Sequence, residues 1–102
     1  MTQQGDAVPA GRDDMRVLLI DDHQINADLV EGMLADEKDI ALTYQQDPVQ
    51  ALERALAFAP TVIMVDLHMP QMDGLDVIRA LKADARVAEV PIIMLSSNTA
   101  PV

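Results

Sequence analysis

Short apolar runs recur along this chain at Val17-Leu18-Leu19-Ile20, Ile40 to Tyr44, Val62-Ile63-Met64-Val65 and Ile92-Ile93-Met94-Leu95. Continuous runs of this kind suit strands covered on both faces of a parallel sheet. Between them the period becomes helical. From about Gln24 to Asp36, the residues Ile25, Leu29, Val30, Met33 and Leu34 share one face. Asp47-Pro48-Val49-Gln50 reads as a helix start, with Asp47 as N-cap, Pro48 at the first helical position and Gln50 placed to cap back. That helix is expected to run to about Phe58, with Val49, Leu52, Leu56 and Ala59 inward, and to end at Pro60. A turn through Pro70 and Asp73-Gly74 opens a third helix, with Leu75, Ile78 and Leu81 on its buried side. The order β-α-β-α-β-α-β predicts an α/β fold built on a doubly wound parallel sheet with right-handed crossovers.

The runs end on acids. Asp21 and Asp22 follow the first strand directly, and Asp66 follows the third. Carboxylates at the carboxyl ends of such strands project into the crevice where open α/β sheets bind ligands. If they converge, two charges about 4 Å apart repel by ~4 kcal/mol at an effective dielectric near 20. Such a cluster must protonate, hold its members apart or bind a cation. A hard divalent ion with oxygen ligands, Mg2+ above all, resolves the conflict best.

Composition narrows the field. The 102 residues fit one domain, and a 50% apolar content is enough for a core. A net charge of −10, with basic residues scattered, argues against a nucleic-acid binder. The absence of cysteine removes disulfides and thiolate chemistry and fits a reducing cytoplasm. No apolar stretch approaches the roughly 20 residues that cross a bilayer. Residues 1–14 are polar, lack the apolar core of a signal peptide and are expected to form a disordered leader.

Val-Leu-Leu-Ile-Asp21-Asp22, then Val-Ile-Met-Val-Asp66-Leu-His-Met-Pro70-Gln-Met-Asp73-Gly74-Leu, then Pro91-Ile-Ile-Met-Leu-Ser96 together resemble the receiver domain of two-component response regulators. The resemblance covers Met15 to about Asn98, with three motifs in order and on the right elements. Within the family, Ile20-Asp-Asp, Asp47-Pro-Val-Gln-Ala and Pro60-Thr-Val-Ile look most like the N-terminal receivers of surface-sensing diguanylate cyclases. The resemblance implies a flavodoxin-like sheet of order 2-1-3-4, a receiver being one of the standard examples of that winding. It implies that Asp66 accepts a phosphoryl group from the phosphohistidine of a histidine kinase or phosphotransfer protein. Asp21 and Asp22 would hold Mg2+ together with Asp66 and the backbone carbonyl of His68. Ser96 would donate its hydroxyl to a phosphoryl oxygen and act as the switch. The implied protein is a cytoplasmic, homodimeric switching module whose output domain, a diguanylate cyclase in the narrower resemblance, lies outside these residues. It is not an enzyme in its own right, although receivers promote their own phosphorylation and dephosphorylation.

One departure from the pattern matters. Receivers continue through a fourth helix, a fifth strand bearing a Lys, and a fifth helix, whereas this sequence stops at Val102. Arg12, Arg16, Lys38, Arg54, Arg79, Lys82 and Arg86 all fall at the wrong end of the strands or within and after the crossover helices. None is well placed to reach a phosphate on Asp66. The residues 15–102 therefore read as a truncated receiver, either a fragment of a longer regulator or a short form whose fourth strand pairs with another chain. The exposed strand edge predicts self-association.

Two other functions compete. A hydrolase working through an aspartyl-phosphate wants a second Asp two residues after the nucleophile, where this chain has His68. A degenerate receiver serving only as a dimerisation or scaffold module accounts for the missing Lys but not for an intact acidic triad. His23 and His68 admit a histidine-metal or pH-switch reading, with exposed loop residues as the default, and Pro70 with Asp73-Gly74 is expected to shape the loop after Asp66.

Overall fold

The computed structural model describes residues 15–70 and 72–95. In chain order the elements are β1 (Met15–Ile20), α1 (Gln24–Met33), β2 (Ile40–Gln45), α2 (Ala51–Phe58), β3 (Val62–Asp66), α3 (Gly74–Ala83) and β4 (Ile92–Leu95). The strands pair in parallel in the order β2-β1-β3-β4, the doubly wound arrangement that the alternating periods predict. Register places the chemistry. Ile20 lies beside Val65 and Asp66 beside Leu95, so β1 and β3 end level and bring Asp21 alongside Asp66.

The core lies on one face of the sheet. Leu18, Ile20, Ile63 and Val65 pack there against Ala51 and Ala55 of α2, Val77 and Leu81 of α3, and Met69 and Val87 from loops. Small residues at 51 and 55 let α2 approach closely, while Leu52, Leu56 and Phe58 flank the contact half-buried. This corrects the expected inward stripe of α2. Val49 is exposed because a 3-10 turn, Pro48–Gln50, rotates the chain before the α-helix begins, and Pro48 is buried in its place. Ala59 is exposed too. It ends α2 in the left-handed region at φ 55°, its N–H donating to the Ala55 carbonyl, ahead of Pro60.

The caps follow the sequence. Asp47 accepts from the Val49 N–H at 3.0 Å, and Gln50 reaches back to the Asp47 carboxylate at 3.2 Å. Asp73 accepts from the Leu75 N–H at 3.0 Å and starts α3. In α3 the buried side is Val77 and Leu81 with Ile78 at its edge, while Leu75, expected inward, is largely exposed.

α1 departs most from expectation. It ends at Met33, with residues 34–36 in a turn, and Ala27 is its buried residue. Ile25, Leu29 and Met33 are 63%, 59% and 72% exposed. The helix has the apolar face that its period predicts, but no described element packs over that face. The expected leader (residues 1–14) and the residues from Ser96 onward lie outside the described residues.

Candidate functional site

At the carboxyl end of the sheet Asp21, Asp22, His23 and Asp66 each offer a ligand atom, and these atoms lie within 4.8 Å of one another. Asp21 is buried, and both of its oxygens are held. Oδ1 accepts from the His23 N–H at 2.8 Å, and Oδ2 accepts from the Asn26 side-chain amide at 2.9 Å. Asp66 is completely buried. Its Oδ1 accepts from the His68 N–H at 3.0 Å, whereas Oδ2 is buried with no hydrogen-bond partner. Asp22 Oδ1 is likewise buried without one. The Asp22 carbonyl accepts from the Gln46 side chain at 3.3 Å, tying the β1–α1 loop to the β2–α2 loop.

Two orphaned carboxylate oxygens in one acidic cleft are costly by any accounting of desolvation and repulsion. Burial, followed by the charges of Asp21 and Asp22, pushes the Asp66 carboxyl up, while the His68 N–H and His23 pull it back. The negative field extends to β2, where burial and then Asp21, Asp22 and Asp28 push the Tyr44 phenol up. The donor set, all hard oxygen apart from one imidazole, fits a divalent cation. The orphaned oxygens are the atoms such an ion would satisfy.

The backbone around Asp66 is held close. A Cβ added to Gly74 would collide with the Asp66 carbonyl oxygen and come within 2.6 Å of the Leu67 Cα. Glycine at 74 is therefore a packing requirement that seats α3 under the loop after Asp66. Asp22, His23, Leu67, His68, Met69, Pro70 and Asp73 line the open crevice above it. The cations with assigned partners among the described residues bind groups that do not line this crevice. Arg16 donates to the Phe58 and Ala59 carbonyls at the opposite end of the sheet and stacks on the Phe58 ring, and Arg54 binds Gln45. Arg79 pairs with Asp76, Arg86 with Asp84, and Lys82 holds the Ala88 and Val90 carbonyls.

Asp21, Asp22 and Asp66 thus converge as their positions predict, with His68 in the adjoining loop. Ser96 lies outside the described residues. His23 is an exposed loop residue as expected, but its imidazole also faces the acids. Its side chain is 51% exposed, yet Nδ1 sits 3.0 Å from Asp22 Oδ1, 3.4 Å from Asp21 Oδ1 and 3.8 Å from Asp66 Oδ2. Asn26 and Gln46 were not foreseen. Asn26 had a legible signal, an amide within the first turn of the helix that follows the acidic pair.

A parallel sheet of order 2-1-3-4 with an acidic crevice at its carboxyl end defines a flavodoxin-like module. The family model of the response regulator receiver domain matches residues 17–102, and the chain belongs to that family. It is 40% identical over 87 residues to a protein-glutamate methylesterase/protein-glutamine glutaminase of Moorella thermoacetica, covering 84% of this chain and 20% of that protein. It is 34% identical over 82 residues to the response regulator PleD of Caulobacter vibrioides, covering 80% of this chain and 18% of PleD. The crystal structure of the chemotaxis protein CheY4 of Vibrio cholerae superposes with a TM-score of 0.75 at 29% identity, over 85% of this chain and 72% of that one. The chain spans about a fifth of the length of the curated relatives it matches. The receiver is a signalling module, and the enzymatic names among its relatives belong to much longer proteins. No helix among the described residues is long and apolar enough to cross a membrane.

Proposed function

We propose that Asp66 is the phospho-acceptor of this receiver. The observation that carries this reading is its Oδ2, buried at the end of β3 and without a hydrogen-bond partner. The His68 N–H holds Oδ1 and leaves Oδ2 as the attacking oxygen. In-line attack on the phosphohistidine of a histidine kinase or phosphotransfer protein forms the P–O bond as the P–N bond breaks, leaving the donor imidazole. Phosphoryl transfer of this kind needs positioning and charge neutralisation more than covalent machinery. Asp21, Asp22, Asp66 and the His68 carbonyl would hold Mg2+, and a cation there supplies the neutralisation between carboxylate and phosphoryl oxygens. Asn26 and the His23 N–H keep Asp21 oriented for that task. Ser96, as the switch hydroxyl, would donate to a phosphoryl oxygen.

The same reading places the protein in the cytoplasm, within a longer or multi-chain regulator whose output domain is outside these residues. A diguanylate cyclase is the output favoured by the narrower resemblance, although the methylesterase relatives carry the same receiver pattern. We infer homodimerisation from the β4 edge, which no other described strand pairs, and from the apolar face of α1, which no described element covers.

Intact-mass measurement after incubation with acetyl phosphate tests the acceptor. We expect a Mg2+-dependent single phosphoryl adduct on the wild-type chain and none on Asp66→Asn. An adduct of equal yield on Asp66→Asn would place the acceptor elsewhere.

A further inference from the structure

We propose that His23 supplies a nitrogen ligand to the cation site, making it a mixed oxygen and nitrogen site that favours borderline metals such as Zn2+ over Mg2+. The inference rests on the receiver reading above, since it concerns the same ion site. His23 is the N-cap residue of α1 but makes no side-chain cap. Its imidazole turns instead into the acidic cluster. Two ligand atoms that each stand about 2.1 Å from one ion are about 3.0 Å apart when adjacent and about 4.2 Å apart when opposite. The separations of Nδ1 from the three carboxylates, 3.0, 3.4 and 3.8 Å, lie within that span.

A second observation points to a ligand independently of the acid count. Asp66 Oδ2 and Asp22 Oδ1 are buried with no hydrogen-bond partner, and Nδ1 stands 3.8 and 3.0 Å from them. One cation among these atoms would satisfy both carboxylate oxygens and the imidazole nitrogen together. Imidazole suits Zn2+ and its neighbours, whereas an all-oxygen set suits Mg2+. A nitrogen among carboxylates therefore shifts selectivity without disabling the site for Mg2+, which keeps its oxygens and fills the remainder with water.

Zn2+ and Mg2+ are of nearly equal size, so comparing them isolates the donor type. Calorimetric titration of each ion into the wild-type chain, His23→Phe and His68→Phe gives the ratio of affinities. The half-exposed position of His23 makes the substitution compatible with folding. We expect Zn2+ affinity to fall at least about tenfold in His23→Phe while Mg2+ affinity holds, the loss of a ligand costing no less than loss of an outer partner. His68→Phe keeps the backbone carbonyl but removes the other imidazole, so any effect there should fall on both ions alike and leave their ratio as in wild type. The sequence has two histidines. In nitrogen NMR, the His23 Nδ1 resonance should therefore move on Zn2+ addition, without a matching change at His68.

An unchanged Zn2+ to Mg2+ ratio in His23→Phe overturns the inference while leaving the Mg2+ site standing. A gain in affinity for both ions alike also overturns it, since His23 would then be a counter-charge that the metal displaces. If neither ion binds the wild-type chain, the cation site of the receiver reading fails as well.

Discussion

The two faces of the sheet are built from the same kind of residue and meet different surroundings. On one, Leu18, Ile20, Ile63 and Val65 are closed over by α2 and α3, and every one of them is buried. On the other, Leu19 is buried, but Met64 and Leu95 line an apolar groove of about 270 Å3 with Leu29, Val30 and Met33 of α1. The acids straddle the boundary: Asp21 and Asp66 close the end of that groove, while the loop beyond Asp66 is seated by α3 on the covered side. A strand needs a partner on both sides before its apolar residues contribute fully, and the covered face alone supplies a dense interior among the described residues. The site thus takes its rigidity from one face, and the other offers surface for association.

Equal truncations on the two faces give the largest contrast. Leu81→Ala removes a completely buried side chain from beneath β1 and β3 and should cost about 2–5 kcal/mol in urea unfolding. Leu29→Ala, at a position 59% exposed, should change stability by no more than about 0.5 kcal/mol. Equal losses would mean that the groove is covered in solution. In that case the Leu29 variant should also show a concentration-dependent midpoint.

Gly74→Ala probes the seam between α3 and the loop after Asp66, the acceptor proposed above. The added methyl meets backbone, which cannot swing aside as a side chain would, so overpacking should cost about 1–3 kcal/mol. Phosphorylation should slow as well, because the strain falls on the carbonyl of Asp66 itself. Stability loss with an unaltered rate would show that the loop relaxes away from the acceptor.

The covered face and the strand ends were legible because apolar runs, caps and strand-end acids are local signals. Asp47 and Asp73 cap as their spacing predicts, and Asp21 and Asp66 meet because β1 and β3 pair in register. The burial of α1 and α2 was less legible. Periodicity shows that Ile25, Leu29 and Met33 share a face but not whether anything covers it, and the 3-10 turn before α2 rotated Val49 outward. The roles of His23, Asn26 and Gln46 depend on where α1 begins relative to Asp21, and on how two loops meet. Composition carries no trace of either.

Asn26 sharpens the comparison at the site itself, since α1 is the helix of the open face yet its first turn holds Asp21. Asn26→Ala removes the donor to Asp21 Oδ2 and should weaken Mg2+ binding about tenfold, as loss of an outer-shell partner does. Unfolding without metal should lose about 1–3 kcal/mol, because Asp21 Oδ2 is left buried without its donor. Calorimetric titration checks the first outcome and urea unfolding in EDTA the second. Unchanged Mg2+ affinity would show that burial alone orients Asp21.

Asp66→Asn is the change expected to stabilise, by an amount that depends on pH. Burial and the neighbouring carboxylates raise the Asp66 carboxyl, so the folded chain holds that proton to a higher pH than the unfolded chain does. Without divalent cation, wild-type stability should therefore decline as pH rises from the ordinary carboxylate range, about 4, through the raised value, and level off above it. The asparagine variant lacks this contribution. It should be more stable than wild type at neutral pH by on the order of 1–4 kcal/mol, the range of one carboxylate repulsion at about 4 Å between the dielectric of water and an effective protein value near 20. Below about pH 4 the gain should vanish, because Asp66 is then protonated in both states of the wild type. Urea midpoints measured in EDTA across that range decide it. Added Mg2+ should narrow the neutral-pH gap by stabilising the wild type in proportion to its tighter binding. A gap that is independent of both pH and Mg2+ would show that Asp66 is stabilised by its fixed hydrogen bond alone, and that the open end of the site is not electrostatically loaded.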